Sequence, residues 1–168
     1  LSGGEKLNLS WSAYRNGIFK AQTPAGLTID QLFVDGKNQR MARYPNYDAL
    51  KRAEPYQGYA ADAFAKQRAA RWADPTGGYI HAMHRAGWGG YHYLITGKST
   101  DDTVVHEGGW QNNRQMGMHK EHRYVENIFE ELDEVGEWFL NRDTGTLYIY
   151  PEQGMDLNRE PLYVTSVK

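Results

Sequence analysis

The sequence predicts a mainly β fold: a β-sandwich or small antiparallel barrel with one helical insertion at about residues 60–73. Three observations predict it. Short runs of apolar, β-branched and aromatic residues recur along the chain, each bounded by turn dipeptides. The 168 residues include 12 Tyr, 5 Trp and 5 Phe beside 18 Gly, a composition suited to pleated surfaces and tight turns. One stretch, Ala60 to Ala73, is instead rich in Ala, Arg, Lys and Gln, which are good helix formers. Many short strands with one helix point to a sandwich or barrel.

The elements follow in order. Leu7-Asn8-Leu9-Ser10-Trp11 alternates apolar with polar, as a half-buried strand does. Asn16-Gly17 marks a turn before Ile18-Phe19. Gln31-Leu32-Phe33-Val34 meets the hairpin dipeptide Asp35-Gly36 and returns through Lys37 to Arg43. Pro45 ends that arm, because proline cannot donate to a ladder. Tyr47 to Tyr59 is polar and turn-rich. In the helical stretch Phe64, Arg68 and Trp72 fall on one face, and Phe64 and Trp72 pin the helix onto a sheet. Asp74-Pro75 stops it, since a residue before proline avoids the α region.

Strand signals then resume. Tyr79 to His84 and Tyr91 to Thr96 flank Gly87-Trp88-Gly89-Gly90, and Thr103 to His106 follows. Residues 124–133 read as a short strand or a helical turn. Glu137 to Asn141 and Thr146 to Tyr150 flank Asp143-Thr144-Gly145, a hairpin, and Leu162 to Thr165 is a last strand. No repeat and no low-complexity segment interrupts the chain. It opens on Leu1-Ser2-Gly3-Gly4 and closes on Val167-Lys168 directly after a strand-like run. This reads as a single β-rich domain, residues 1–168, excised from a larger protein.

Composition excludes several classes of function. Nineteen Lys and Arg against 21 Asp and Glu leave a formal net charge of −2, without the basic excess of a nucleic-acid binder. No apolar run approaches the roughly 20 residues of a membrane span. The absence of cysteine removes disulfides, Cys-ligated zinc and a Cys nucleophile. No phosphate-binding glycine loop and no Gly-x-Ser-x-Gly elbow occur.

Two stretches are more specific. One is Leu32-Phe33-Val34-Asp35-Gly36-Lys37-Asn38-Gln39-Arg40-Met41-Ala42-Arg43-Tyr44-Pro45-Asn46. The other runs Val125-Glu126-Asn127-Ile128-Phe129-Glu130-Glu131-Leu132-Asp133, then Gly136-Glu137-Trp138 and Thr144-Gly145-Thr146-Leu147-Tyr148-Ile149-Tyr150-Pro151. Together they resemble the insertion domain of secreted right-handed parallel β-helix proteins of the glycoside hydrolase family 141 type, over about residues 7–167. The resemblance implies a parent glycosidase of α-L-fucosidase or xylanase type acting on plant cell-wall glycans. It implies a secreted, periplasmic or cell-surface protein of Bacteroidetes-like bacteria. The catalytic carboxylates would sit on the β-helix, so the resemblance assigns no catalytic residue here, and the expected partner is that β-helix in the same polypeptide.

All six histidines, at 81, 84, 92, 106, 119 and 122, lie in one stretch with Trp88, Trp110 and the glycines at 87, 89, 90 and 117. Glycine lets backbone approach a ligand, amides, Arg and His read hydroxyls, and indoles stack on sugar faces. The candidate carbohydrate contacts are His84, Trp88, His92, Trp110, Asn112, Arg114 and His119. The competing reading docks these loops on the β-helix. A metal site is not assigned: His81 and His84 point to opposite faces of a strand, no His-Glu-x-x-His is present, and zinc held by three His and a carboxylate stays open. No cofactor is expected. Glycoside hydrolysis by the domain alone needs two carboxylates roughly 5–10 Å apart, and the acidic run from Glu126 to Glu137 reads first as a solvated face. The expected function is an accessory domain that stabilises the β-helix and walls one side of the glycan cleft. An independent carbohydrate-binding module and a purely structural domain are the alternatives.

Overall fold

A computed structural model describes residues 4–111, 114–115 and 117–165. In chain order the first strands are β1 (Glu5–Leu7), β2 (Ser12–Arg15), β3 (Ile18–Gln22), β4 (Gln31–Val34) and β5 (Lys37–Met41). The next are β6 (Arg43–Tyr44), β7 (Tyr79–His84), β8 (Gly90–Lys98), β9 (Val104–Gly108), β10 (Trp110–Gln111), β11 (Arg114–Gln115) and β12 (Met118–Glu126). The last are β13 (Glu137–Asn141), β14 (Thr146–Ile149) and β15 (Leu162–Thr165). One α-helical turn, α1 (Lys66–Ala69), lies between β6 and β7. The chain is therefore mainly β, as predicted.

It forms two compact units. The first, Leu1–Ala42 with Leu132–Lys168, carries an eight-stranded sheet in the order β1-β15-β4-β5-β13-β14-β3-β2. Its hairpin turns sit where the sequence placed them. Asp35 and Gly36 both have positive φ (48° and 72°), and Val34 pairs with Lys37 across them. Asn16 and Gly17 (49° and 81°) turn β2 into β3 in the same way. Two left-handed central residues match the right-handed twist of a hairpin, which is why Asn-Gly and Asp-Gly serve there.

The sheet departs from the antiparallel expectation at one seam. β13 pairs parallel with β5, Glu137 opposite Arg40 and Trp138 opposite Met41. Parallel neighbours need a long crossover, and the crossover here is the whole second unit. The seam joins the two motifs that carry the resemblance. Ala42 N–H donates to Trp138 O at 2.8 Å, and the Trp138 indole N–H donates to Gln39 O at 3.2 Å. Trp138, Leu32, Val34, Leu147 and Ile149 are fully buried in the core of this unit.

The second unit, Arg43–Glu131, carries a five-stranded sheet in the order β6-β12-β7-β8-β9 and the two-stranded β10-β11 hairpin. β7 alternates half-buried and buried positions along its length. Ile80 and Ala82 face a core with Trp72, Ile95, Val125 and Ile128, while Tyr79, His81 and Met83 occupy the other parity. The Tyr44–Pro45 peptide is cis.

The helical insertion is shorter than the predicted 60–73. Ala65 has extended backbone (ψ 153°), and the residues before it form turns such as Ala63 N to Ala60 O. The Ala61 carbonyl accepts from the Arg123 guanidinium instead of a helical amide. Tertiary hydrogen bonding outweighs helix propensity, which is worth only tenths of a kcal/mol per residue. Trp72 is nevertheless buried as expected, and Phe64 packs on the same core.

Candidate functional site

The β7–β8 turn and the β9–β10 junction carry the exposed indoles. Trp88 is 82 % and Trp110 64 % exposed, large values for side chains that normally seek cover. Trp88 stacks on His84, with ring centroids 5.2 Å apart and planes 25° from parallel. His84 itself is buried, and its Nδ1 accepts the Ala86 N–H at 3.0 Å. His84 thus supports the indole from beneath and does not face solvent. Tyr91, 6.0 Å from His84, donates its hydroxyl to Gln111 Oε1 at 2.6 Å. This bond links β8 to the β10–β11 hairpin, where Trp110 pairs with Gln115 and Gln111 with the exposed Arg114. Asn112 lies outside the described residues.

Two glycines set the direction of Trp110. A Cβ on Gly108 (φ 124°) would meet His92 O at 2.6 Å, and one on Gly109 (φ 68°) would meet the Tyr93 ring at 2.3 Å. The chain can turn from β9 into β10 against Tyr93 only because neither residue has a side chain. Gly109→Ala is expected to cost about 2–4 kcal/mol, combining left-handed strain with overpacking against a buried ring. Urea unfolding measures it, and a loss below about 1 kcal/mol would show that Tyr93 swings aside freely.

His92 belongs to a different constellation, on the opposite parity of β8. It stands across from His81 of β7, ring centroids 4.6 Å apart, and the two Nδ1 atoms share a hydrogen bond. His81 Nε2 lies 2.6 Å from Glu126 Oε1 of β12. The His81 ring stacks on Tyr124 at 4.5 Å and 13°, and the Arg43 guanidinium sits 4.0 Å from the centre of the same phenol. Burial, helped by the Glu126 charge and opposed by Arg43, pushes the Tyr124 hydroxyl up to about 12. Burial, and then the His81 charge, lowers the pKa of His92, with Glu126 opposing. Both shifts favour the neutral forms at neutral pH.

His119 joins a third group. It stacks on His122 at 4.2 Å and 5°, and His122 stacks on Tyr56 at 3.8 Å and 8°. Its Nδ1 accepts the backbone N–H groups of Glu121 and His122, within the bulge by which β12 departs from β7. The predicted contacts therefore separate. Trp88, Trp110 and Arg114 stand on the two adjoining turns, His92 on the sheet face and His119 in the ring stack.

The acidic run is a solvated face only at Asp133 and Glu134, which are exposed. Glu131 and Glu137 are buried. Glu137 accepts the Asp133 and Glu134 amides, Glu130 accepts the Ala73 amide, and Glu131 pairs with Arg68. These carboxylates hold backbone and side chains in place. In the first unit a groove of about 340 Å³ borders Leu9, Trp11, Asn158 and Pro161, but Glu160 is the one carboxylate among its lining residues, so it lacks the pair that hydrolysis requires. Among the described residues no group of three or more His, Asp or Glu is placed to hold a metal ion, and no helix is long and apolar enough to cross a membrane.

A solved structure described as "Glycoside hydrolase" shares this fold. It superposes over 99 % of this chain with a TM-score of 0.68 and 19 % sequence identity. This chain spans 32 % of that one. No protein-family model matches the sequence, and no curated protein matches it.

Proposed function

We propose that this chain is an accessory domain of a larger, exported polysaccharide-degrading glycoside hydrolase, and that Trp88 and Trp110 contact the glycan. The parent has a right-handed parallel β-helix of the family 141 type, and this domain is inserted in it. The β-helix supplies the catalytic carboxylates, and the domain stabilises it and walls one side of its cleft. The observation that carries the glycan reading is the pair of outward indoles on adjoining turns, Trp88 stacked on His84 and Trp110 positioned by the β10–β11 pairing. The fold likeness to about a third of a glycoside hydrolase supports the accessory role. The two resembling motifs meet at the β5–β13 seam, which accounts for them as scaffold. Plant cell-wall glycan is the proposed ligand, and a bacterial periplasm or cell surface the proposed location.

The test is substitution in the full-length protein. Trp88→Ala or Trp110→Ala is expected to weaken oligosaccharide affinity about tenfold, the equivalent of about 1.4 kcal/mol, while the fold is retained. Covering even about half of an indole face removes enough apolar area for that loss. Unchanged affinity in both variants sinks the contact. The exposure of the indoles within this chain also favours a second reading, an independent carbohydrate-binding module. Calorimetric titration of the isolated chain with xylan and fucosylated oligosaccharides separates the two. Heat that vanishes with either alanine variant identifies a module, and no heat leaves the cleft wall.

A further inference from the structure

We infer that the outer face of β7, β8 and β9 is a second carbohydrate contact, in which His92 Nε2 accepts a hydrogen bond from a ligand hydroxyl. His81 and Glu126 are its positioning residues. The ligand class rests on the function proposed above, but the hydrogen-bond chain behind His92 does not.

Glu126 fixes the protons along the chain. An ionised carboxylate only accepts, so the His81 nitrogen 2.6 Å away must be the protonated one. When both imidazoles are neutral, His81 carries one N–H and spends it on Glu126. Its Nδ1 is therefore bare and accepts from His92 Nδ1–H. His92 in turn has spent its own proton, which leaves Nε2 as a lone-pair acceptor. His92 is exposed, and no donor among the described residues reaches that nitrogen. The carboxylate at the far end polarises both rings and makes the outer nitrogen a better acceptor.

The surface around it suits an amphipathic hydroxylated ligand. Leu94, two residues along β8 on the same parity, is 37 % exposed, and Val105 of β9, farther along the same face opposite Gly97, is 50 % exposed. Glu107, opposite Leu94, adds a second acceptor. Apolar patches beside fixed acceptors match the faces and hydroxyls of a sugar.

The contact depends on pH. The charged and titratable groups around His92 are His81 and Tyr79 on β7, Tyr124 and Glu126 on β12, Glu107 on β9, and Arg43 on β6 over the Tyr124 ring. Protonation of His92 turns its acceptor into a donor. Its pKa is lowered from 6.5, first by burial and then by the His81 charge, so His92 is neutral at neutral pH and the acceptor is lost as the imidazole pair takes up a proton at lower pH. Ligand affinity falls in the same window.

The experiment is long-range ¹H–¹⁵N correlation on the imidazoles of the labelled 168-residue chain, with and without millimolar xylo-oligosaccharide or fucosylated xyloglucan oligosaccharide. The expected result is His92 in the Nδ1–H tautomer, shifting toward the usual Nε2–H form in His81→Ala and in Glu126→Gln, each verified as folded by its amide spectrum. A dominant Nε2–H tautomer in the unsubstituted chain overturns the inference without reference to any sugar. With oligosaccharide, the His92 Nε2 resonance is expected to move, and His92→Ala to weaken binding about three- to tenfold. Shifts at the Trp88 and Trp110 indoles without one at His92 overturn this contact and leave the indole reading standing. No shift anywhere overturns this contact and any glycan binding by the chain on its own.

Discussion

Glu131→Ala is expected to destabilise the protein by about 3–5 kcal/mol, the usual cost of breaking a buried ion pair from one side. Glu131 is 1 % exposed and accepts three hydrogen bonds: two from Arg68 Nη1, at 2.9 and 2.7 Å, and one from the Trp72 indole at 2.6 Å. Arg68 also lies 3.1 Å from the centre of the Tyr44 ring, whose hydroxyl reaches Asp62. Alanine would strand a guanidinium that is 15 % exposed and a fully buried indole N–H. The three elements tied at this point are β6, the turn of α1 and the 3-10 turn Phe129–Glu131. Glu131→Gln keeps an acceptor for Trp72 and is expected to cost about half as much. Guanidinium denaturation followed by tryptophan fluorescence measures both. A loss under about 1 kcal/mol for the alanine variant would mean that Arg68 and Trp72 find other partners.

Trp138→Ala is expected to cost about 3–5 kcal/mol in the first unit. The side chain is 1 % exposed, at the centre of the core beside the β5–β13 seam. Its removal opens a large cavity and leaves Gln39 O without the indole donor. Trp138→Phe restores most of the apolar volume but not the N–H, and is expected to lose about 1–2 kcal/mol. The difference between the two variants separates packing from the hydrogen bond. Equal losses would assign the whole effect to the bond across the seam.

Both residues belong to the motifs on which the resemblance to β-helix glycosidases rests, and both act as scaffold. Motifs that specify hairpins, caps and buried pairs identify a fold and leave the chemistry to the surfaces that fold presents. The surfaces proposed for it here are the two indole turns and the His81–His92 face.

The β class and most of the longer strands were legible because their causes are local, whereas Leu7-Asn8-Leu9-Ser10-Trp11 leaves the sheet after Leu7 and β2, β10, β11 and most of β12 carry no clear local signal. Asp35-Gly36 and Asn16-Gly17 set two hairpins by backbone conformation alone, and alternation along Tyr79 to His84 set which side of β7 is buried. His81 and His84 were correctly read to opposite faces for the same reason. Exposed and buried groups share one local pattern among the candidate contacts because exposure is not local. His84 shares its composition and neighbourhood with His92, yet one is under an indole and the other faces out. The relay was not legible at all. Its members are 11 and 45 residues apart in sequence and meet only through strand register.

The sequence by itself determined the β class, most of the longer strands, the Asn16-Gly17 and Asp35-Gly36 turns and the two motifs, since each depends on residues a few positions apart. Tertiary structure alone decided the rest. It shortened the helix by giving the Ala61 carbonyl to Arg123. It made the β5–β13 pair parallel by returning the chain through a whole second unit. It buried Glu131 with Arg68, 63 positions away, and it aligned Glu126, His81 and His92. In each case the energy comes from pairing groups distant in sequence, which no local pattern records.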